Sequence, residues 1–165
     1  MPEGIFSLED REFVSSLGNW IGDATWDPGP IGGWAGLAKF ILPIYPGIQS
    51  IQLSYPNVKT PKNKSVGFVI YTHVLAPNNF INRRLRITDG VYSFVRPWSY
   101  QQFPDQWLAV GLDADLPNDW DKLNASLFLD LQNDSPVSPG LAYADLASLS
   151  WESAIIQHLP VIGIG

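Results

Sequence analysis

An arginine pair is the clearest candidate for binding chemistry in this sequence. Asp89-Gly90 lies between two runs of alternating apolar and polar residues, which is typical of a two-residue β-hairpin turn. The register that follows from this turn places Arg83 directly opposite Arg96 on one face of the hairpin. Two like charges in that position destabilise a sheet, so the pair predicts an anionic group nearby.

The arginine pair has two interpretations. In the functional one, Arg83 and Arg96 bind a small anion or a carboxylate through bidentate hydrogen bonds, and Trp98 supplies a stacking plane. In the structural one, an internal carboxylate such as Asp113 or Asp115 neutralises the pair, or both arginines extend out of the sheet rim into solvent.

The opposite face of the same predicted strand carries Arg84 and Arg86. Period-two alternation separates these two side chains from Arg83. We interpret them as part of a solvated strand face or of a subunit contact rather than as a ligand site.

An acidic segment suggests a calcium site. Carboxylates recur at Asp113, Asp115, Asp119 and Asp121. Alternate acidic residues in a turn can direct several oxygen ligands at a hard cation. The spacing excludes an EF-hand, because Pro117 would occupy the fifth ligand position, so the expected form is an irregular loop at the tip of a sandwich. The alternative is a polar connection whose side chains cap turns, with Trp120 packed beneath it.

Aromatic residues are abundant, with 7 Trp and 6 Tyr. Four tryptophans lie in or beside predicted loops, at Trp26, Trp34, Trp98 and Trp120. Flat aromatic faces can stack on sugar rings while neighbouring polar side chains bind the hydroxyl groups. Core packing and protein–protein contact are the alternatives, because tryptophan is common in both.

Catalytic patterns are lacking. His73 lies in the middle of a predicted strand and His158 near the C-terminus, and neither has a nucleophile at a characteristic spacing. We therefore expect no catalytic residue and favour a protein that is not an enzyme. If the protein is an enzyme, we expect a cyclase-type barrel that folds an apolar substrate by shape.

The elements that position these residues are mainly strands. We expect a single all-β domain over 1–165, with a short helix over 7–18, an ordered loop rich in Trp, Gly and Pro over 19–36, and strands thereafter. Alternating segments predict strands at 34–42, 51–55, 65–76, 81–88, 91–98, 107–113, 125–132 and 149–157. About eight antiparallel strands indicate a jelly-roll-like sandwich or a closed β-barrel.

Composition excludes several classes of protein. The chain has 165 residues, no Cys and a net charge of −6, which argues against a disulfide scaffold, a sulfur-ligated zinc site and a nucleic-acid partner. The sequence has no 18-residue apolar run and no basic start followed by an apolar stretch. We therefore expect a soluble protein without a transmembrane segment or a signal peptide.

Low charge favours assembly as the function. Only 16% of residues are charged, and the segment 159–165 ends the chain with apolar residues. These features favour a homo-oligomer or a larger assembly, such as a capsid, spike or particle component exposed on a virion or particle surface. The alternatives are a module that binds a carbohydrate or a small anion, and a lipocalin-like barrel that binds an apolar small molecule.

Overall fold

The computed structural model describes residues 6–28, 36–45, 50–75 and 80–151. Within these ranges the chain forms one short helix, α1, over Leu8–Glu12, followed by ten strands. The strands are β1 Ile21–Gly22, β2 Thr25–Asp27, β3 Leu37–Leu42, β4 Ile51–Val58, β5 Ser65–Val74, β6 Ile81–Thr88, β7 Ser93–Tyr100, β8 Trp107–Asp115, β9 Ala125–Asn133 and β10 Gly140–Ser150.

The strands form two antiparallel sheets that pack face to face. Sheet A has the order β1-β4-β9-β6-β7, and sheet B has the order β2-β3-β10-β5-β8. The predicted all-β sandwich with one short N-terminal helix is therefore confirmed. The closed-barrel alternative is wrong, because each sheet in the described part of the chain ends in two different edge strands. The estimate of about eight strands missed β1 and β2, which are short and lie in the segment predicted as a loop.

The core lies between the two sheets. Alternate residues of each strand turn inward, as expected for a sheet with one buried face. Fully buried side chains include Phe40, Phe68, Ile70, Leu85, Ile87, Leu127, Leu129 and Leu131. Burial of one such side chain contributes about 1.5–3 kcal/mol. Because apolar positions take the inward side, the polar residues between them define the outer faces of the sandwich.

Helix α1 is shorter than the predicted helix over 7–18. Ser7 caps its N-terminus as expected, since its Oγ accepts a hydrogen bond from the backbone N of Asp10 at 3.2 Å. The helix ends at Phe13, whose φ of 49° is left-handed. The Asp10 carboxylate then accepts a hydrogen bond from the backbone N of Asn19 at 2.7 Å, which fixes the path of the returning chain. No helix in the described ranges is long and apolar enough to cross a membrane.

The turn between β6 and β7 is wider than predicted. The strands pair Thr88 with Ser93, so four residues connect them instead of two. Asp89 explains the difference, because its Oδ1 accepts hydrogen bonds from the backbone N of Val91 at 2.9 Å and of Tyr92 at 2.7 Å. Such a side-chain-to-backbone turn replaces the tight turn that the sequence suggested.

The wider turn changes the arginine register. Arg96 pairs with Leu85, so the predicted direct pairing of Arg96 with Arg83 is wrong. A register shift follows in the hairpin, and Arg83 pairs with Ser99. Strand β7 is an edge of sheet A and contains Pro97, a residue type that sheets tolerate mainly at edges.

The last described strand begins earlier than predicted. The sequence suggested a strand over 149–157, whereas β10 starts at Gly140 and contains a register shift between Asp145 and Ser148. Trp34 and the predicted strand segment 152–157 lie outside the described residues, as do His158 and the apolar C-terminal segment 159–165.

Candidate functional site

The outward side of sheet A carries an ordered set of polar and aromatic side chains. Alternation in β6 turns Leu85 and Ile87 inward, which leaves Arg84 and Arg86 on the outer side. We call this surface the polar–aromatic face. Its side chains form three rows across the strands, namely Phe128–Arg86–Val95, Asp130–Arg84–Trp98 and Gln132–Asn82–Tyr100.

Asp130 is the buried centre of the polar–aromatic face, with 0% of its surface exposed. Its Oδ2 accepts hydrogen bonds from Arg84 Nε at 3.0 Å and from Arg86 Nε at 2.7 Å. Its Oδ1 accepts a further hydrogen bond from Arg86 Nη2 at 3.2 Å. The contact follows from the sheet register, in which Asp130 pairs with Arg84. One buried carboxylate therefore holds two guanidinium groups in fixed orientations.

Two aromatic rings complete these contacts. The guanidinium carbon of Arg84 lies 4.4 Å from the centre of the Trp98 ring, and that of Arg86 lies 4.1 Å from the centre of the Phe128 ring. These distances are typical of cation–π contacts. Trp98 and Phe128 are both half-buried. Each guanidinium is thus fixed by the carboxylate at its edge and by an aromatic ring at its face.

A second carboxylate lies at the rim of this face. Asp134 Oδ2 accepts hydrogen bonds from Asn82 Nδ2 at 2.6 Å and from the Tyr100 hydroxyl at 2.9 Å. The hydrogen bond to Asp134 raises the pKa of Tyr100. The Tyr100 ring is 46% exposed and meets the Phe80 ring edge to face, with 6.3 Å between the ring centres. The rim therefore presents accessible aromatic surface beside oriented hydrogen-bonding groups.

The charges of this region balance. The face and its rim contain two arginines, Arg84 and Arg86, and two aspartates, Asp130 and Asp134. Among the described residues, Arg84 donates a hydrogen bond only from its Nε. Its Nη groups can therefore still donate hydrogen bonds to a ligand. A neutral molecule with both hydroxyl groups and apolar patches matches this arrangement better than an anion does.

The residues predicted to form one anion site are divided between the two faces of the hairpin. Trp98 lies on the polar–aromatic face, whereas Arg83 points into the sandwich and is 7% exposed. Arg96 is exposed, and its Nη1 donates a hydrogen bond to the carbonyl oxygen of Gly111 at 3.2 Å. The alternative in which both arginines extend into solvent is therefore wrong for Arg83. The acids expected to neutralise the pair, Asp113 and Asp115, form no ion pair with either arginine.

Trp120 is a core residue and offers no ring face to a ligand. It is 3% exposed, its Nε1 donates a hydrogen bond to Thr60 Oγ1 at 2.7 Å, and its ring packs beside Phe94. This matches the alternative in which the tryptophan packs beneath the acidic loop. Trp26 also has a partner within the protein, because its Nε1 donates a hydrogen bond to the carbonyl oxygen of Phe13 at 2.7 Å.

The four aspartates of the predicted calcium loop are exposed, and three of them have separate hydrogen-bond partners. Asp115 accepts a hydrogen bond from the Ser65 hydroxyl, and Asp119 accepts one from the Tyr92 hydroxyl at 2.8 Å. Asp121 accepts a hydrogen bond from a backbone N two residues later at 3.1 Å. In the ranges that the structure describes, no group of three or more His, Asp or Glu is arranged to hold a metal ion. Calcium binding stays a prediction that this geometry does not support.

His73 belongs to the outer side of sheet B. Its ring lies 5.2 Å from that of Trp107 and 6.2 Å from that of Tyr143, and it is buried. Burial lowers the pKa of His73, and the charge of Asp105 opposes that effect. A neutral imidazole packed between aromatic rings is consistent with the structural role that its mid-strand position suggests.

Sequence reasoning did not identify the centre of the polar–aromatic face. It assigned Arg84 and Arg86 to a solvated strand face or a subunit contact and did not single out Phe128 or Asp130. The available signal lies in β9, where buried leucines alternate with outward residues that include an aromatic ring and a lone carboxylate. An aromatic residue on the outward side of a strand indicates a surface with a role beyond solubility.

Comparison with known proteins identifies the fold. No protein-family model and no curated protein matches the sequence. Among solved structures, TmCBM61 in complex with β-1,4-galactotriose matches with a TM-score of 0.63 and 11% identity, over 88% of this chain and 97% of that one. The CBM22-1 xylan-binding domain of Paenibacillus barcinonensis Xyn10C matches with a TM-score of 0.60 and 12% identity, over 93% and 97% of the two chains.

A cyclase has the same architecture. The cyclase from Fischerella sp. TAU matches with a TM-score of 0.63 and 10% identity, over 92% of this chain and 98% of that one. At these identities the similarity is one of fold. The chain is therefore a β-sandwich of the kind found in carbohydrate-binding modules and in this cyclase.

Proposed function

We propose that this protein is a carbohydrate-binding module that binds a neutral glycan on the polar–aromatic face. The observation that carries the proposal is the row Asp130–Arg84–Trp98, in which a buried carboxylate holds a guanidinium group against an indole ring. Side chains fixed in advance lose little entropy when a ligand binds. A rigid polar and aromatic surface therefore suits a ligand that is itself hydroxylated and ring-shaped.

The chemistry of a sugar matches this surface. A sugar ring presents C–H groups on its faces, which pack on aromatic rings such as Tyr100, and hydroxyl groups at its edge. The amide of Gln132 and the Nη groups of Arg84 lie on the same side of the sheet and can bind hydroxyl groups.

The balance of charge favours a neutral glycan. Asp130 and Asp134 together balance the two positive charges of Arg84 and Arg86, so an anionic ligand gains little at this surface. The glycan ligands named for the structures of similar fold support the choice of ligand class. Screening against a set of neutral glycans identifies the particular sugar.

Binding to a glycan array, followed by titration calorimetry of the selected glycan, tests the proposal. β-1,4-Galactotriose and xylan oligosaccharides are suitable initial probes. Trp98→Ala removes the ring behind Arg84 and is expected to weaken glycan binding at least tenfold. Tyr100→Ala removes the exposed ring at the rim and is expected to weaken binding severalfold.

Tyr71→Ala is the matched control, because Tyr71 is an exposed tyrosine on the outer side of sheet B. It should leave the dissociation constant unchanged. The proposal is wrong if no neutral glycan binds, or if Tyr71→Ala weakens binding as much as Trp98→Ala does.

A cyclase-type enzyme is the second candidate, favoured by the structural similarity to the Fischerella cyclase. The lipocalin-like form of this hypothesis requires a closed barrel, whereas the described strands form two separate sheets. One of the cyclase structures contains 4-(1H-indol-3-yl)butan-2-one. Titration of this protein with that compound separates the two candidates, since a carbohydrate-binding module should not bind it.

Self-assembly, the function that composition favoured, stays a prediction. Trp34 and the segment 159–165, on which it depends, lie outside the described residues. The comparisons lend it no support, because the solved structures of similar fold are named for glycan binding or cyclisation. Light scattering of the purified protein would measure its oligomeric state independently of the glycan experiment.

A further inference from the structure

The inward side of β6 contains a cation without a counter-ion. Arg83 is 7% exposed and extends from sheet A toward sheet B, where its Nη1 donates a hydrogen bond to Thr72 Oγ1 at 2.9 Å. Its Nε is buried and has no hydrogen-bond partner. Within the described ranges, no carboxylate forms an ion pair with this guanidinium. A buried charge in this state is unfavourable unless another group compensates it.

A second arginine lies beside it. Arg96 on β7 is exposed, and its Nη1 donates a hydrogen bond to the carbonyl oxygen of Gly111 on β8 at 3.2 Å. Burial lowers the pKa of Arg83, and the positive charge of Arg96 lowers it further. Two positive charges therefore lie on this side of sheet A, and neither has a carboxylate partner among the described residues.

The sheet register places the two arginines on the same inward side of sheet A. Arg96 pairs with Leu85, and Leu85 is two residues from Arg83 on the inward side of β6. Arg83 and Arg96 are therefore diagonal neighbours across the β6–β7 pair, a spacing that long side chains can span. Both side chains extend toward sheet B, Arg83 to Thr72 on β5 and Arg96 to Gly111 on β8.

We propose that Arg83 and Arg96 together bind one small anionic group, a carboxylate or an inorganic oxyanion, at the sandwich edge between β7 and β8. The guanidinium fork matches the oxygen spacing of such groups and forms bidentate hydrogen bonds with them. The unpartnered Nε of Arg83 supplies one donor, and the exposed side chain of Arg96 supplies a solvent-accessible side of the site.

This site differs from the polar–aromatic face in position and in ligand class. Alternation along β6 places Arg83 on the side of the sheet opposite Arg84 and Arg86. The ligand here is charged, whereas the face is suited to a neutral molecule. Failure of one proposal therefore leaves the other unaffected.

Nuclear magnetic resonance of the arginine Nε–H groups tests the anion site. The full chain is titrated with sodium sulfate, sodium phosphate or sodium acetate, with sodium chloride adjusted to keep ionic strength constant. We expect saturable shifts of the Arg83 and Arg96 signals, and no saturable shift for Arg11, an exposed arginine paired with Glu12. Saturation by sulfate or phosphate alone identifies an oxyanion site, and saturation by acetate identifies a carboxylate site.

Arg96→Gln is the informative variant, because Arg96 is exposed and its replacement should preserve the fold. It should weaken the binding measured at the Arg83 signal at least tenfold. Arg11→Gln is the control and should leave that binding unchanged. The proposal is overturned if none of the three anions gives a saturable shift at Arg83, or if Arg96→Gln binds as tightly as the unsubstituted protein.

Discussion

The arginines on the two faces of strand β6 differ in whether a carboxylate compensates their charge. On the outer face, Arg84 and Arg86 share one buried carboxylate, Asp130, and each lies over an aromatic ring. On the inner face, Arg83 donates one hydrogen bond to a neutral hydroxyl group and has Arg96 as its charged neighbour. The same residue type in one strand is thus compensated on one side and uncompensated on the other.

This difference separates two kinds of polar surface. A compensated cluster is complete without a ligand and presents oriented hydrogen-bonding groups with little net charge. An uncompensated charge stores unfavourable electrostatic free energy, which a ligand of opposite charge relieves. The outer face therefore suits a neutral glycan, and the inner edge suits an anion.

A buried carboxylate extends the comparison to sheet B. Asp145 is 2% exposed and, among the described residues, has no cation within ion-pair distance. Burial raises its pKa to about 7, the backbone N–H of Leu146 opposes that shift, and the charge of Glu12 adds to it. Asp130 and Asp145 are thus equally inaccessible, but only Asp130 has arginine partners.

Removal of the shared carboxylate should have the largest effect. Asp130→Asn leaves Arg84 and Arg86 side by side without an anion, and we expect it to lower the free energy of unfolding by about 3 kcal/mol. Urea denaturation measures this change. Asp134→Asn is the matched control, because Asp134 bonds only the neutral groups of Asn82 and Tyr100, and its expected loss is below about 1 kcal/mol. Equal losses in the two variants would contradict the special role of the shared carboxylate.

The uncompensated carboxylate should make stability depend on pH. The folded-state pKa of Asp145 is above the usual value of 3.8, so the folded protein holds a proton that the unfolded chain releases. This contribution to stability is complete below the usual pKa and is lost as pH rises through about 7. Asp145→Asn abolishes the titration, and we expect the variant to be more stable than the unsubstituted protein by about 2 kcal/mol at alkaline pH.

The stability gain expected for Asp145→Asn is smaller than the pKa shift alone implies, because the new amide is buried. The shift alone corresponds to about 4 kcal/mol, but a buried amide without partners offsets part of that gain. Thermal unfolding of both proteins from about pH 4 to pH 8 measures the difference. A difference in stability that does not change over this range would show that Asp145 is ionised in the folded state.

Replacement of the uncompensated Arg83 should change the free energy of unfolding least. It should raise this free energy, whereas Asp130→Asn should lower it. Arg83→Met removes the buried charge and its repulsion with Arg96, while Thr72 keeps its hydrogen bond to Gln101 at 3.1 Å. We expect the free energy of unfolding to rise by about 1 kcal/mol in chloride buffer. Arg86→Met, the control from the outer face, should lower it, since Asp130 then loses two hydrogen bonds. Destabilisation by Arg83→Met greater than that by Arg86→Met would contradict the comparison.

The fold was predictable from the sequence because strand alternation is a local signal. Apolar residues at every second position of β6 and β9 indicate which side of each strand is buried. The register of the β6–β7 hairpin was not predictable to the same degree, because the side chain of Asp89 selects a wider turn than the Asp-Gly pair suggests. The resulting register difference separated Arg96 from its predicted partner.

The polar–aromatic face was harder to predict because it depends on contacts between distant parts of the chain. Asp130 is 46 residues from Arg84 and 44 residues from Arg86. Sequence alone does not show that β9 lies beside β6, so it cannot distinguish a solvated arginine from one held by a carboxylate. Arg83 was singled out from the sequence only as the partner of Arg96, and that pairing depended on the wrong register.

The contact between Arg96 and Gly111 also bears on the solubility of the folded protein. Strands β7 and β8 each form one of the two edges of their sheet, and unpaired edges can recruit strands from other molecules and so initiate aggregation. Pro97 in β7 has no backbone N–H and cannot donate a hydrogen bond to an added strand. The Arg96 guanidinium already donates a hydrogen bond to a carbonyl oxygen of β8, and its charge lies at the edge of the sheet. We therefore expect the residues that frame the proposed anion site also to oppose edge-to-edge polymerisation of the sandwich.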